Sequence, residues 1–378
     1  MQYTLGKICQ SVLAKSLRQR GARSKTMNWE KNVRRVVPYV AGEQPQNKNV
    51  IKLNTNECPY PPAPEVESVL REFDGDTLRK YPDPDSSELV NALAKRHGLS
   101  KEQVFVGVGS DDVLAMSFLT FFNADKPILF PDITYSFYDV WADLYKIPYE
   151  CQPLDENFRI RKEDYQKENG GIVIANPNAP TGVYETPAFL EEIIKANSDS
   201  VVIIDEAYID FGGESCLPLI EKYENLLVVQ TFSKSRAMAG IRIGYAMGNK
   251  KLIRYLNDVK FSFNSYTMNA VTIKAGAASV ANEEYFKRIT GKIIETRENT
   301  KKRLTELGFT FPDSKTNFIF ASHKRVPAQE IFDVLRENEI YVRHWNKPRI
   351  ENYLRISIGT DAEMKTVLDF LENYLKKK

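Results

Sequence analysis

The sequence predicts an α/β protein: a large domain with a mostly parallel sheet between helices, joined to a smaller α+β domain. Two observations carry this. Apolar runs at 172–175, 201–204 and 226–230 are uniform enough for strands covered on both faces, and the helical stretches between them suit crossovers between parallel strands. From about Ala270 to Gly308 the pattern becomes one or two long charged helices. Beyond it, strands near 318–320, 341–343 and 354–358 alternate with helices around 328–338 and 362–375.

Composition narrows the class. The 378 residues carry Lys+Arg 52 against Asp+Glu 50, so the net charge of +2 gives no reason to expect nucleic acid or an anionic membrane as partner. The four cysteines have no CxxC spacing and there are three histidines, so neither a disulfide framework nor a metal site is expected, and a reducing compartment fits. The longest mainly apolar stretch, 113–122, is far short of a bilayer span.

In chain order, residues 1–27 form a basic, acid-free leader, expected to be a flexible tail or the product of a start upstream of Met27. Residues 28–57 are expected to be an arm belonging to the smaller domain, 58–269 the large domain, and 270–378 the connecting helix with the small domain. Within the arm, Val36–Tyr39 and Gly42–Pro45 read as extended chain, 50–53 as a short strand, and 54–59 as an Asn- and Pro-rich loop. A second Pro-rich loop, 80–84, precedes a helix opening at 86–88 and running towards His97.

The 104–112 stretch reads as strand, glycine turn and helix start, with Ser110 the expected N-cap and the helix continuing to Phe122. Free N–H groups at such a junction suit an anion, although Ser110-Asp111-Asp112 equally describes a plain capped helix. If an anion binds there, the Asp111 and Asp112 carboxylates should point away from it. Strand 128–130 is followed by residues 131–138, read as the opening of another helix, in which Tyr135 would either stack on a planar ring or cover core. Strand 172–175 runs into the turn 176–182, which is able to point an amide over the sheet.

Strand 201–204 ends in Asp205-Glu206-Ala207-Tyr208, a carboxylate three residues before a phenol. Such a pair suits a protonated ring nitrogen and a neighbouring ring oxygen, or simply a loop cap. The next strand ends just before Ser233-Lys234-Ser235, with Arg242 eight residues beyond the lysine. A lysine at a strand's carboxyl end can form a Schiff base with a carbonyl cofactor, and an arginine can clamp that cofactor's phosphate with its planar fork. Arg355 alternates with Leu354 and Ile356, so it faces away from them and with Arg343 forms a candidate anion clamp.

Together these residues resemble the fold-type-I aminotransferases that use pyridoxal 5′-phosphate. The stretch 231–245 and Asp205–Tyr208 carry the superfamily likeness. Motifs at 37–45, 53–57, 79–82, 316–318 and 354–360 are most similar to the histidinol-phosphate aminotransferase branch. The resemblance implies that Lys234 holds the cofactor and moves the substrate's α-proton. It also implies that Asp205 pairs with the pyridine nitrogen, Tyr208 bonds the ring oxygen, and Tyr135 stacks on the ring. Ser110, Asp111, Ser233 and Arg242 would hold the phosphate, with Tyr81 reaching it from the second subunit of a homodimer.

Tyr39, Asn56, Arg343 and Arg355 would take the substrate, alternately L-histidinol phosphate and 2-oxoglutarate or glutamate. Many relatives have Asn where this chain has Ala179, so the amide for the ring oxygen would come from Asn178 or be absent. Cys58 likewise stands where the family often has Asn. The implied protein is a cytoplasmic enzyme of histidine biosynthesis. Its rivals are an aromatic amino-acid aminotransferase or a threonine-phosphate decarboxylase on the same scaffold, and a non-catalytic sensor module.

Overall fold

Seven strands give the central sheet its order, and that order decides which loops meet. A computed structural model describes residues 28–47 and 49–378; the expected leader, residues 1–27, lies outside them. The chain divides into two units, the first ending at Tyr39 and the second running from Val40 to Lys378. In the first, residues 28–39 are a short 3-10 turn, Asn28–Asn32, and extended chain.

The second unit begins with β1 (Ile51–Lys52). Then come α1 (Pro64–Glu72), α2 (Ser87–His97), β2 (Val104–Gly107), α3 (Ser110–Phe121), β3 (Ile128–Pro131), α4 (Tyr138–Tyr145), β4 (Tyr149–Gln152) and β5 (Gly171–Ala175). It continues through α5 (Pro187–Ala196), β6 (Val202–Asp205), β7 (Leu226–Thr231), β8 (Gly244–Gly248), α6 (Lys250–Phe263), α7 (Ala270–Ala281) and α8 (Glu283–Glu306). Last are β9 (Phe309–Thr310), β10 (Phe318–His323), α9 (Ala328–Glu337), β11 (Ile340–Tyr341), β12 (Arg343–His344), β13 (Leu354–Ser357) and α10 (Asp361–Leu375).

The central sheet has the order β2-β8-β7-β6-β5-β3-β4. Every pairing from β7 to β4 is parallel, as expected, and β8 alone runs against its neighbours β7 and β2. Reversing β8 has a geometric consequence. Gly244, its first residue, sits opposite both Thr231 and Gly107, so the carboxyl ends of β2 and β7 and the entry to β8 lie on one sheet edge with the ends of β5 and β6.

Alternation along the strands divides the core. Ile172, Ile174, Val202, Ile204, Leu226 and Val228 join one apolar layer, and Val173, Ile203, Leu227 and Val229 join the other with Val113, Phe118 and Trp141. Each such buried aliphatic side chain contributes roughly 1.5–3 kcal/mol, which is why these strands carry no polar residue before their ends. Asp205 falls in step with Ile203, on the second face, and Glu206 turns to the first. A separate sheet, β12-β13-β10-β9, packs its own core against α8, α9 and α10, and β1 pairs in parallel with β11.

Three local expectations are corrected. Ser110 is not the N-cap of α3: Gly109 occupies that position with φ 100°, and Ser110 is the first helical residue. The helix expected from 131–138 begins only at Tyr138, leaving Tyr135 on the preceding loop. The single strand expected at 341–343 is two strands, because the chain changes partners at buried Val342, from β1 to β13. Among the described residues no helix is long and apolar enough to cross a membrane.

Candidate active site

The lysine loop is built by closing a strand on itself. The Phe232 amide donates to the Ile243 carbonyl at 3.0 Å and Met238 donates back to Phe232 at 3.1 Å, so residues 232–243 form a tight excursion between β7 and β8. Ser235 donates to Asp210 at 2.5 Å, fixing the loop's middle. Lys234 is half-buried; its Nζ donates to the Thr55 carbonyl at 3.2 Å and lies 5.8 Å from the centre of the Tyr208 ring.

Two glycines shape the other side. A Cβ on Gly109 would come within 2.4 Å of Arg242 Nη2, and one on Gly244 within 2.2 Å of the Ser110 nitrogen. Their bare backbones let the Arg242 guanidinium and β8 close over the amino end of α3, where the unpaired N–H groups and helix dipole favour an anion. Arg242 also donates to the Ala239 carbonyl at 3.1 Å and stands 3.6 Å from Asp111 Oδ2. Asp111 is turned aside by the Tyr135 hydroxyl, which donates to it at 2.7 Å, and Asp112 accepts from the Val108 amide at 3.0 Å. Buried Ser233 accepts from the Thr231 hydroxyl at 3.1 Å.

This cradle makes a prediction. Gly109→Ala should push the Arg242 fork away and strain a positive-φ position, at a cost of about 1–2 kcal/mol. Phosphate-bearing cofactor should then bind at least about 10-fold more weakly, measured by equilibrium dialysis. The Gly244→Ala clash is with main chain, so that variant should fail to accumulate as folded protein.

Asp205 is the electrostatic centre. It is buried at the end of β6, accepting from the Tyr138 hydroxyl at 2.8 Å and the Ala207 amide at 3.2 Å. Burial pushes its pKa up to about 6, against which the Tyr138 and Ala207 hydrogen bonds act, so the pocket favours a cationic neighbour for this carboxylate. Tyr138 was not singled out by the sequence; the phenol three residues beyond Tyr135 on a helix start was its only signal. Glu206, on the opposite face, accepts from Ser215, Cys216 and Gln230 and is pushed up to about 7 by burial.

Residues 54–56 link the two sheets' contributions. The Asn54 carbonyl accepts from Arg355 at 2.9 Å and that of Thr55 from Lys234, while Asn56 Nδ2 donates to the Tyr208 hydroxyl at 2.9 Å. Asn56 holds a φ of 56° and is fixed on three sides. Its amide donates to Ser357 Oγ, its Oδ1 accepts from that hydroxyl, and its carbonyl accepts from Asn317.

Lys234, Asp205, Tyr208, Ser233, Arg242, Ser110, Asp111, Tyr135, Asn56 and Arg355 are thus joined by contacts or by adjacent strand ends on one sheet edge, and Arg343 stands opposite Arg355 on β12–β13. Asn178 is differently engaged: its Nδ2 donates to the Ile133 carbonyl and Thr181, and its Oδ1 accepts from Thr134. Its amide holds its own loop, so the side chain offered in place of an asparagine at Ala179 is already committed. Tyr81 is 82 % exposed and stacks on Tyr266, with ring centres 4.6 Å apart. Tyr39 belongs to the first unit.

A sheet with a lysine and a carboxylate at adjacent strand ends, facing a glycine-lined arginine cradle, is the arrangement of an aminotransferase. The chain belongs to the family of aminotransferase class I and II, whose model matches residues 48–371. Among relatives, it is 56% identical over 352 residues to the histidinol-phosphate aminotransferase of Lactococcus lactis subsp. cremoris, covering 93% of this chain and 99% of that one. It is 49% identical to the histidinol-phosphate aminotransferase of Clostridium botulinum, over 92% of this chain and 99% of that one. The crystal structure of the histidinol-phosphate aminotransferase from Sinorhizobium meliloti in complex with pyridoxal-5′-phosphate superposes with a TM-score of 0.79 at 25% identity, covering 86% of this chain and 91% of that one.

Proposed function

We propose that the chain transfers the amino group of L-histidinol phosphate to 2-oxoglutarate, giving 3-(imidazol-4-yl)-2-oxopropyl phosphate and L-glutamate, with pyridoxal 5′-phosphate as cofactor. The observation that carries this is the connection, through the carbonyls of Asn54 and Thr55, between Lys234 and the facing guanidinium Arg355. The name shared by relatives about half identical over nearly the whole chain supports it.

The residues present fit the cofactor. The Gly109–Arg242 cradle suits its phosphate, and buried Asp205 suits a protonated ring nitrogen. When bound, pyridoxal 5′-phosphate supplies a carbonyl for covalent attachment and an electron sink for the carbon that loses its proton. The chain supplies everything else. Arg242, Ser233 and the backbone of Ser110 and Asp111 hold the phosphate. Asp205, oriented by Tyr138 and Ala207, would pair with the ring nitrogen, Tyr135 would cover the ring, and Tyr208, fixed by Asn56, would bond its oxygen.

Lys234 Nζ, aimed by the Thr55 carbonyl, first anchors the cofactor and later takes the proton from the substrate's α-carbon. Arg355 and Arg343 grip the substrate's anionic end, phosphate in one half-reaction and carboxylate in the other. Tyr81, so exposed in a single chain, reaches the phosphate of a second copy, making the working unit a cytoplasmic homodimer. In this reading 58–269 is the cofactor lobe, and 270–378 belongs to the smaller lobe.

Initial rates with both substrates varied test the reading. Parallel double-reciprocal lines, with glutamate and the imidazole keto phosphate as products, are expected. Preference for phenylalanine or tyrosine over histidinol phosphate would move the chain to an aromatic aminotransferase, and released carbon dioxide to a decarboxylase.

A further inference from the structure

Arg343 and Arg355 are directly opposed on the antiparallel pair β12–β13, so both project from one face of that sheet. Like charges at facing positions repel, and the fold must hold them there. Trp345 does so. The Arg343 and Arg355 guanidinium carbons lie over its indole ring, 5.5 and 5.2 Å from the centre. Each fork is also tied to a carbonyl of the segment leading into the site, Arg343 to Val40 at 3.3 Å and Arg355 to Asn54 at 2.9 Å. Phe318 takes part of Arg355 as well, at 5.3 Å, but the indole is the group common to both arginines.

We propose that Trp345 is a specificity-determining residue: it sets the spacing of the two guanidiniums so that the clamp takes a phosphate group in preference to a carboxylate. This rests on the reading that Arg343 and Arg355 meet the substrate's anion. A phosphate monoester presents three terminal oxygens and close to two negative charges near neutral pH, enough to use both forks. A carboxylate has two oxygens and is satisfied by one fork. Loosening the shared ring therefore weakens phosphate more than carboxylate. Cation–π attraction also keeps the two forks in place when no anion is bound, so the clamp is formed before substrate arrives.

The test uses the cofactor-loaded enzyme as wild type, Trp345→Phe and Trp345→Leu, with inorganic phosphate and glutarate as unreactive probes in calorimetry. Trp345→Leu should weaken inorganic phosphate by about 10-fold and glutarate by less than about 3-fold, with Trp345→Phe recovering most of the loss because a phenyl face also attracts guanidinium. The KM for histidinol phosphate should rise in parallel while kcat holds. Equal weakening of both probes, or no change with phosphate in a Trp345→Phe variant that melts like wild type and a Trp345→Leu variant alike, would overturn the proposal. If the probes behave as expected but wild type does not turn over histidinol phosphate, the substrate reading fails and the role of Trp345 stands.

Discussion

Lys234→Ala should lower turnover by at least about 10⁴-fold, because general-base catalysis alone contributes about 10²–10⁴ and, in the proposed function, covalent anchoring would be lost with it. The fold should survive. Among the described residues the amine makes a single hydrogen bond, to the Thr55 carbonyl, worth about 1 kcal/mol net, and the loop is closed by Phe232, Met238, Ile243 and the Ser235–Asp210 bond instead. Cofactor should still bind through Arg242, Ser233 and Asp205, but without a covalent link. Borohydride reduction followed by peptide mass analysis checks this: wild type should carry the adduct on Lys234, and the variant should carry none. A reduced adduct on another lysine of the variant would displace Lys234 from its role.

Asp205→Asn separates the site's chemistry from its stability. Removing a preorganised charge from a dry pocket should lower kcat by about 10²–10³-fold and weaken cofactor binding. The cofactor-free protein should respond in the opposite direction. Burial raises the Asp205 pKa from 3.8 to about 6, so between those values the folded chain keeps a proton that the unfolded chain has lost. Stability from this group is therefore greatest below the unfolded pKa and is lost as pH rises through about 6. Above that the ionised carboxylate costs the apoprotein on the order of 3 kcal/mol. Urea denaturation of cofactor-free protein should find Asp205→Asn more stable than wild type at pH 7.5, with the advantage shrinking towards pH 4.5. An advantage that does not change with pH would contradict the electrostatic account.

Much of this site was legible because its chemistry sits where apolar runs stop. Val202–Asp205 and Leu226–Thr231 are buried along their whole length, so the first charged residues the two apolar runs reach, Asp205 at the end of one strand and Lys234 past the end of the other, had to lie at the sheet edge. The facing of Arg343 and Arg355 was partly legible from the alternation of Arg355 with Leu354 and Ile356, but not its register, because the break at Val342 depends on which neighbour each half of the segment pairs with.

What the residues could not reveal is contact made by main chain or by distant chain. Asn54 and Thr55 act through carbonyls, which every residue has, and in sequence they read as a polar loop. Gly109 takes the cap position expected of Ser110 because Arg242, more than a hundred residues later, occupies the space of its missing side chain. Asn178 illustrates the converse: an amide in the expected turn, whose partners Ile133, Thr134 and Thr181 are set by how two loops meet.

One site should run both half-reactions, and the visible absorption spectrum of the loaded enzyme reports on each. Adding L-histidinol phosphate with no keto acid present should bleach the band of the Lys234-bound cofactor in one stoichiometric turnover, and 2-oxoglutarate should restore it. A band that ignores histidinol phosphate but bleaches with phenylalanine or tyrosine would contradict the substrate reading, and the absence of any such band after loading with pyridoxal 5′-phosphate would contradict the site itself.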